Sequence, residues 1–373
     1  MTDSRSFSRL RLTSFRNYAT AALDLDPRHV VLTGPNGSGK TNLIEAVSLL
    51  SPGRGLRGVN FEQLPLQGGD GNWAVAATVE SEFGPVDLGT GGGLGEPTRR
   101  VRINGANART VETLAEHVRL LWLTPSMDGL FTGPATDRRR FLDRLVMTLI
   151  PDHGQSVIAF DKAMRQRNKL LEDSADAAWF AAVETEMAAH AAAMHFARTD
   201  SLGHLQQLAV QDIEGAFPAA TLALTPLFEN EEALTSSTAL EMALQQEWEV
   251  GRSRDRAAGR TLFGPHRTDL MVMHTQKHMP AELCSTGEQK ALLIGLILAH
   301  ARLVADMAGQ TPILLLDEVA AHLDPDRRAA LFAALNNLGA QCFMTGTDPM
   351  LFEALKDKGQ YVRVEQGRLT QSD

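Results

Sequence analysis

His29-Val30-Val31-Leu32-Thr33-Gly34-Pro35-Asn36-Gly37-Ser38-Gly39-Lys40-Thr41 is the stretch that decides the fold. An apolar run ending in glycine predicts a buried strand, and residues 40–50 carry apolar positions at helical spacing. The octet 34–41 therefore lies at a strand–loop–helix junction and matches G-x-x-x-x-G-K-[ST]. In that pattern the glycines let backbone N–H groups curl around phosphate oxygens. The lysine, here Lys40, reaches the β/γ-phosphates, and Thr41 offers a hydroxyl to Mg²⁺.

A partner for this loop lies far downstream. Ile313-Leu314-Leu315-Leu316 predicts a buried strand ending in Asp317 and Glu318. Asp317 suits a Mg²⁺ ligand, and Glu318 suits a base for the attacking water. Leu323-Asp324 follows at a predicted helix start, where Asp324 also reads as a plain N-cap. Ahead of the strand, Ser285-Thr286-Gly287-Glu288-Gln289-Lys290 opens an apolar helix at about 287–308. Ser285 and the backbone near Gly287 could take phosphate at that N-terminus, and Ser285 with Glu288 equally forms a capping box; the two readings are compatible.

Outward from these motifs, residues 7–33 read as strands with a turn at Arg16-Asn17-Tyr18, and 51–110 as β-ribbons and glycine-rich loops. Residues from about 134 to 260 are alanine-rich and helix-prone, with breaks expected near Pro151, Gly203, Pro218 and Pro226, too many for an extended coiled coil. A helix at about 325–338 and a strand over 341–345 complete an α/β pattern. The expected divisions are 1–133, the N-terminal half of a nucleotide-binding core; 134–263, a mainly helical insertion; and 264–373, the C-terminal half.

Composition sets the limits. With 373 residues, 36 Lys+Arg against 45 Asp+Glu and a formal charge of −9, the chain is an ordinary globular protein, and any nucleic-acid partner needs a local basic surface. Two distant cysteines argue against a disulfide framework or zinc module and fit a reducing cytoplasm. No signal peptide is recognisable, and the longest apolar run, 291–299, is short of a membrane span. His190, His195 and His204 are not spaced for one metal-binding helix face. Arginines do cluster: Arg138, Arg139 and Arg140; Arg165 and Arg167; Arg252, Arg254 and Arg256. Each cluster is either a DNA-phosphate contact or a solvated helix face paired to nearby aspartates. The lack of clustered aromatics argues against base stacking.

The order of motifs resembles the ATP-binding-cassette superfamily and, within its SMC-like DNA-repair branch, the RecF family. Leu12-Thr13-Ser14-Phe15-Arg16-Asn17-Tyr18, Gly133-Pro134 with Arg138-Arg139-Arg140-Phe141-Leu142-Asp143, and Gly264-Pro265-His266-Arg267-Thr268-Asp269-Leu270 are all similar to RecF blocks. The resemblance implies an α/β ATPase head, a β-ribbon plus parallel sheet flanked by helices, with a compact helical inserted lobe. It further implies that Gly34, Pro35, Asn36, Gly37, Ser38, Gly39, Lys40, Thr41 and Asp317 hold MgATP and that Glu318 activates water. Ser285 to Lys290 would clasp the nucleotide of a second copy, with Leu323 and Asp324 at the same dimer interface. RecF-like proteins are implied to bind gapped or junctional DNA as ATP-dependent dimers and, with RecO and RecR, to help load RecA, with slow ATP hydrolysis.

The chain departs from this pattern at Cys284 and Glu288 in the signature, and no Q-loop glutamine stands near Leu123-Thr124-Pro125-Ser126. The transporter switch histidine is missing, which leaves its role to Thr347. A transporter ATPase subunit is disfavoured by the 245 residues between Lys40 and Ser285. A protein using ATP only for assembly is disfavoured by the intact Glu318.

Overall fold

Apolar runs without polar alternation become strands covered on both faces. In the computed structural model, which describes residues 3–173, 176–211 and 215–372, these runs build the centre of the first of two units. That unit comprises Met1–Gly129, Leu208–Ala219 and Cys284–Asp373; the second comprises Leu130–Gln207 and Ala220–Leu283.

The first unit holds two six-stranded sheets. One is an antiparallel ribbon built from β1 (Ser6–Phe15), β2 (Tyr18–Asp24), β4 (Trp73–Glu80), β5 (Val86–Gly92), β6 (Arg100–Ile103) and β7 (Ala106–Asn107), in the order β2-β1-β4-β5-β6-β7. Its residues alternate: Leu10, Leu12, Val75, Ala77 and Leu88 point inward, while Arg9, Arg11, Ala74 and Ala76 point to solvent. The other sheet takes β3 (His29–Thr33), β8 (Leu120–Leu123), β12 (Ile313–Leu316), β13 (Cys342–Gly346), β14 (Gly359–Glu365) and β15 (Arg368–Ser372), in the order β15-β14-β3-β13-β12-β8. It is parallel except at β15.

The helices α1 (Lys40–Ser48), α2 (Leu114–His117), α7 (Thr286–Ala308) and α8 (Pro325–Leu338) belong to this unit. By length and composition α7 is apolar enough to cross a membrane. Here it is a core helix, with 78% of its most apolar window buried.

In the second unit, α3 (Ala135–Leu149), α4 (His153–Glu172), α5 (Ala177–Ala209) and α6 (Ser237–Ala258) accompany a small antiparallel sheet, β9 (Ala220–Leu224), β10 (Leu270–His274) and β11 (Met279–Pro280), in the order β11-β10-β9. Phe160, Met187, Ala191, Leu240, Leu244 and Trp248 interlock at its core. Each large apolar side chain buried here contributes roughly 1.5–3 kcal/mol.

Two sequence expectations change. Gly203 does not break a helix: α5 runs through it for 33 residues, and the glycine's penalty of about 1 kcal/mol is small beside the packing of Met187, Ala188, Ala191, Ala192 and Met194 on the same helix. The other change concerns residues 264–283, expected with the C-terminal ATPase half. They group with the helical unit, because β10 pairs with β9 from Leu270↔Leu224 to His274↔Ala220.

Candidate active site

β3, buried at every position, delivers the chain into the glycine loop, and Gly39 serves as N-cap of α1. The three glycines have different reasons to be there. A Cβ on Gly34 would sit 2.2 Å from the Val364 carbonyl oxygen, and one on Gly39 would sit 2.5 Å from the Asn17 amide; both have positive φ. Around Gly37 there is open space, so the loop's outer face is clear where phosphate oxygens would lie. A cleft of about 690 Å³ adjoins it, lined by Pro35, Asn36, Gly37, Ser38, Glu365, Gln366 and Arg368.

Lys40 is only 4% exposed, and its ammonium donates to the Gly34 and Pro35 carbonyls at 2.8 and 3.0 Å. Burial pushes its pKa below the ordinary lysine value, and the charges of Glu318 and Asp317 oppose that shift. The Ser38 hydroxyl is buried with no hydrogen-bond partner among the described residues. The Thr41 hydroxyl donates to both Asp317 oxygens, at 3.1 and 3.0 Å. Phosphate oxygens would satisfy Lys40 and Ser38. The Thr41–Asp317 pair is a hard-oxygen donor set of the kind Mg²⁺ takes alongside nucleotide phosphates and water. The residues present therefore fit MgATP.

The carboxylate pair is organised by a residue the sequence did not single out. Thr345, buried in β13, donates its hydroxyl to Asp317 Oδ1 at 2.6 Å and accepts the Glu318 backbone N–H at 2.9 Å. Glu318 has φ 53°, a left-handed conformation that costs a non-glycine residue about 1–3 kcal/mol. The Thr345 hydroxyl helps hold that turn, which lifts Glu318 off the strand line. Thr347, expected to occupy the switch position, is exposed beyond the end of β13.

Arg16-Asn17-Tyr18 buttresses the loop from behind. Asn17 donates to the Ser38 carbonyl at 3.2 Å and accepts from Asn42 at 2.7 Å, and the Tyr18 hydroxyl donates to the Gly39 carbonyl at 3.0 Å. Burial pushes the Tyr18 phenol well above its usual pKa. Arg16 forks onto Glu45 of α1 at 2.9 and 2.7 Å, joined by Arg57 at 2.5 Å. The β14–β15 turn closes the far side, with Gly367 N–H on the Ser38 carbonyl at 3.1 Å.

The signature block divides. Ser285, Thr286 and Gly287 are exposed at the start of α7, and nothing lies near a Cβ on Gly287. Ser285 and Glu288 form a capping box, so the Glu288 carboxylate accepts the Ser285 N–H at 3.0 Å and faces its own helix end. Gln289 and Lys290 were expected to reach a second copy's nucleotide. Both are buried and committed within this chain, Gln289 to the Cys284 carbonyl at 2.8 Å and Lys290 to Asp128 at 3.0 Å. Asp324 is exposed and caps α8 through the Arg327 N–H at 2.9 Å, whereas Leu323 is buried.

Within the helical unit, the arginine clusters come apart on inspection. Arg167 is fully buried and bonds Glu184, Asp255, Thr261 and the Trp248 carbonyl, so it cannot contact DNA. Arg138 forks onto Asp269 at 2.9 and 2.7 Å and also donates to the Gly133 carbonyl. Arg252 pairs with Glu184 over the Phe180 ring, and Arg139 donates to the Thr268 carbonyl. Opposite charges claim Arg138, Arg167 and Arg252 and a backbone carbonyl claims Arg139, which makes them scaffold. Arg140, Arg165, Arg254 and Arg256 remain exposed.

The profile of the RecF/RecN/SMC N terminal domain matches residues 6–370. The chain is 54% identical to the DNA replication and repair protein RecF of Rhizobium meliloti, over 97% of this chain and 98% of that protein. It is 53% identical to the protein of the same name from Mesorhizobium japonicum, over 96% of each. Among solved structures, a recombination mediator protein RecF with ATP aligns at TM-score 0.84 and 20% identity, over 99% of this chain and all of that one. An Smc head domain of Pyrococcus furiosus aligns at TM-score 0.55 and 14% identity, over 99% and 96%. The last two speak to the fold.

Proposed function

The chain belongs to the RecF family of RecF/RecN/SMC N-terminal-domain proteins, and we propose that it is a slow ATPase whose ATP-bound dimer clamps duplex DNA beside a single-strand gap. One observation carries the reading: the continuous contact from Thr41 through Asp317 and Thr345 to Glu318, which joins the phosphate loop to the base. MgATP supplies the phosphoanhydride whose cleavage is the chemical step.

Lys40 and the loop N–H groups would neutralise phosphate charge, and Thr41 and Asp317 would hold Mg²⁺. Glu318, next to Asp317 on its strained turn, orients the water and takes its proton. Ser285, Thr286 and Gly287, exposed at a helix N-terminus, meet the nucleotide of a second copy, and Asp324 lies at the same interface. Each bound nucleotide then bridges two copies, and hydrolysis releases the clamp. In a cytoplasmic setting the dimer works with RecR and RecO to promote RecA loading at gapped duplex DNA.

The test is sedimentation velocity of Glu318→Gln with MgATP, with and without gapped duplex DNA. The expected result is an ATP-dependent dimer that co-sediments with DNA. A monomer under every condition overturns the paired-site reading.

A further inference from the structure

Arg138, Arg139, Arg167 and Arg252 are committed to the scaffold, and of those clusters only Arg140, Arg165, Arg254 and Arg256 stay exposed; the solvent face of the antiparallel ribbon offers a second, more regular array of arginines. Its strand register sets Arg11 against Ala76, Ala76 against Gly89, and Gly89 against Arg102 in a single row. The next row sets Thr13, Ala74, Gly91 and Arg100 side by side. β1 and β6 thus each present two arginines, Arg9 and Arg11 on one side and Arg100 and Arg102 on the other, across a floor of alanine and glycine. Two grooves of about 320 and 430 Å³ lie along that floor.

The arginines are exposed, and neither Arg11 nor Arg102 has a carboxylate partner among the described residues; Arg102 donates only to Asn107, at 3.3 Å. The acids on this face are Asp24, paired to Arg9 at 3.1 Å, Asp87, held by the Thr78 hydroxyl at 2.7 Å, and Glu80 at the end of β4, which accepts the Ser8 hydroxyl at 2.6 Å; Glu96 pairs with Arg100 from the adjoining loop. Three inter-strand steps separate the two rails, which is about 14 Å. That is close to the roughly 12 Å width of the B-DNA major groove. The outward positions of the four strands carry no aromatic ring, so the face offers nothing on which unpaired bases could stack.

We propose that this ribbon face is a sequence-independent docking surface for duplex DNA, with the Arg9/Arg11 and Arg100/Arg102 rails on phosphates either side of a groove. Alanine and glycine keep the floor low enough for the backbone to approach. The inference rests on the DNA-binding reading above and assigns it a surface on the ribbon.

The test measures duplex affinity against salt, in MgATP, for the unaltered chain, Arg11→Ala/Arg102→Ala, Arg11→Lys/Arg102→Lys and Ala76→Glu, with nucleotide binding as the check on folding. Each lost phosphate contact removes about 0.9 from the slope of log K against log salt, so the alanine pair is expected to lose about 1.8. The lysine pair is expected to keep the slope. Ala76→Glu is expected to weaken binding without touching either rail. Unchanged affinity and slope in both the alanine pair and Ala76→Glu, with nucleotide binding intact, overturns the surface. Absence of duplex binding by the unaltered chain instead overturns the DNA-binding reading itself.

Discussion

The hydroxyl of Thr345 lies 2.6 Å from Asp317 Oδ1 and receives the backbone N–H of Glu318 at 2.9 Å, so one side chain positions both carboxylates of the site. Removing such an outer partner of a metal-binding carboxylate typically costs 10–100-fold. Thr345→Val is therefore expected to lower ATP turnover by about that factor, measured as phosphate release at saturating MgATP. Thr345→Ser, which keeps the hydroxyl, is expected to restore most of it.

Substitutions at Lys40 and Glu318 are expected to separate binding from chemistry. Lys40→Ala removes the buried ammonium and is expected to abolish nucleotide binding. Glu318→Gln is expected to bind ATP normally while turnover falls by about 10²–10⁴, the usual worth of a positioned base. Nucleotide titration paired with single-turnover hydrolysis distinguishes the two.

Tyr18→Phe deletes a single hydrogen bond, from the phenol to the Gly39 carbonyl. A loss of roughly 0.5–1.5 kcal/mol of stability is expected in denaturant titration, together with a few-fold rise in the ATP dissociation constant, because the loop loses its rear support.

Arg167 belongs to a buried ionic network with Glu184 and Asp255. Arg167→Met leaves Glu184 to Arg252 but strips buried Asp255 of its close cation, and is expected to cost about 3–5 kcal/mol in chemical denaturation. Arg140→Ala, on the exposed side of α3, is expected to leave stability within about 0.5 kcal/mol.

His266 is held neutral by burial, its pKa pushed down to about 4. The unfolded chain takes up this proton near pH 6.5 and the folded chain only near pH 4, so stability falls as pH drops through that window. The loss is on the order of 3 kcal/mol at the acid end. Urea midpoints between pH 7 and 4 are expected to fall less steeply for His266→Gln than for the unaltered chain.

The phosphate loop and the Asp317-Glu318 pair were legible because each is a contiguous run whose chemistry is local. Thr345 was not, because β13 is buried on both faces and its letters carry no alternation to say which threonine faces Asp317. The arginine clusters misled for a related reason. Arg167 meets Asp255 at a separation of 88 residues, and a charge run gives no sign of so distant a claimant. The strand order that sets the β14–β15 turn against Ser38 is likewise a property of the assembled sheet.

β3, which carries the phosphate loop, lies between β13 and β14, both encoded near the other end of the chain. Phe7 likewise waits for Gln341, 334 residues on, to accept its N–H. During synthesis the helical unit emerges whole while the glycine loop still lacks both neighbouring strands and the turn that backs it. Competence to hold nucleotide is thus conferred late and all at once. A stalled or truncated nascent chain carries the most recognisable motif in the sequence without the pocket that makes it work.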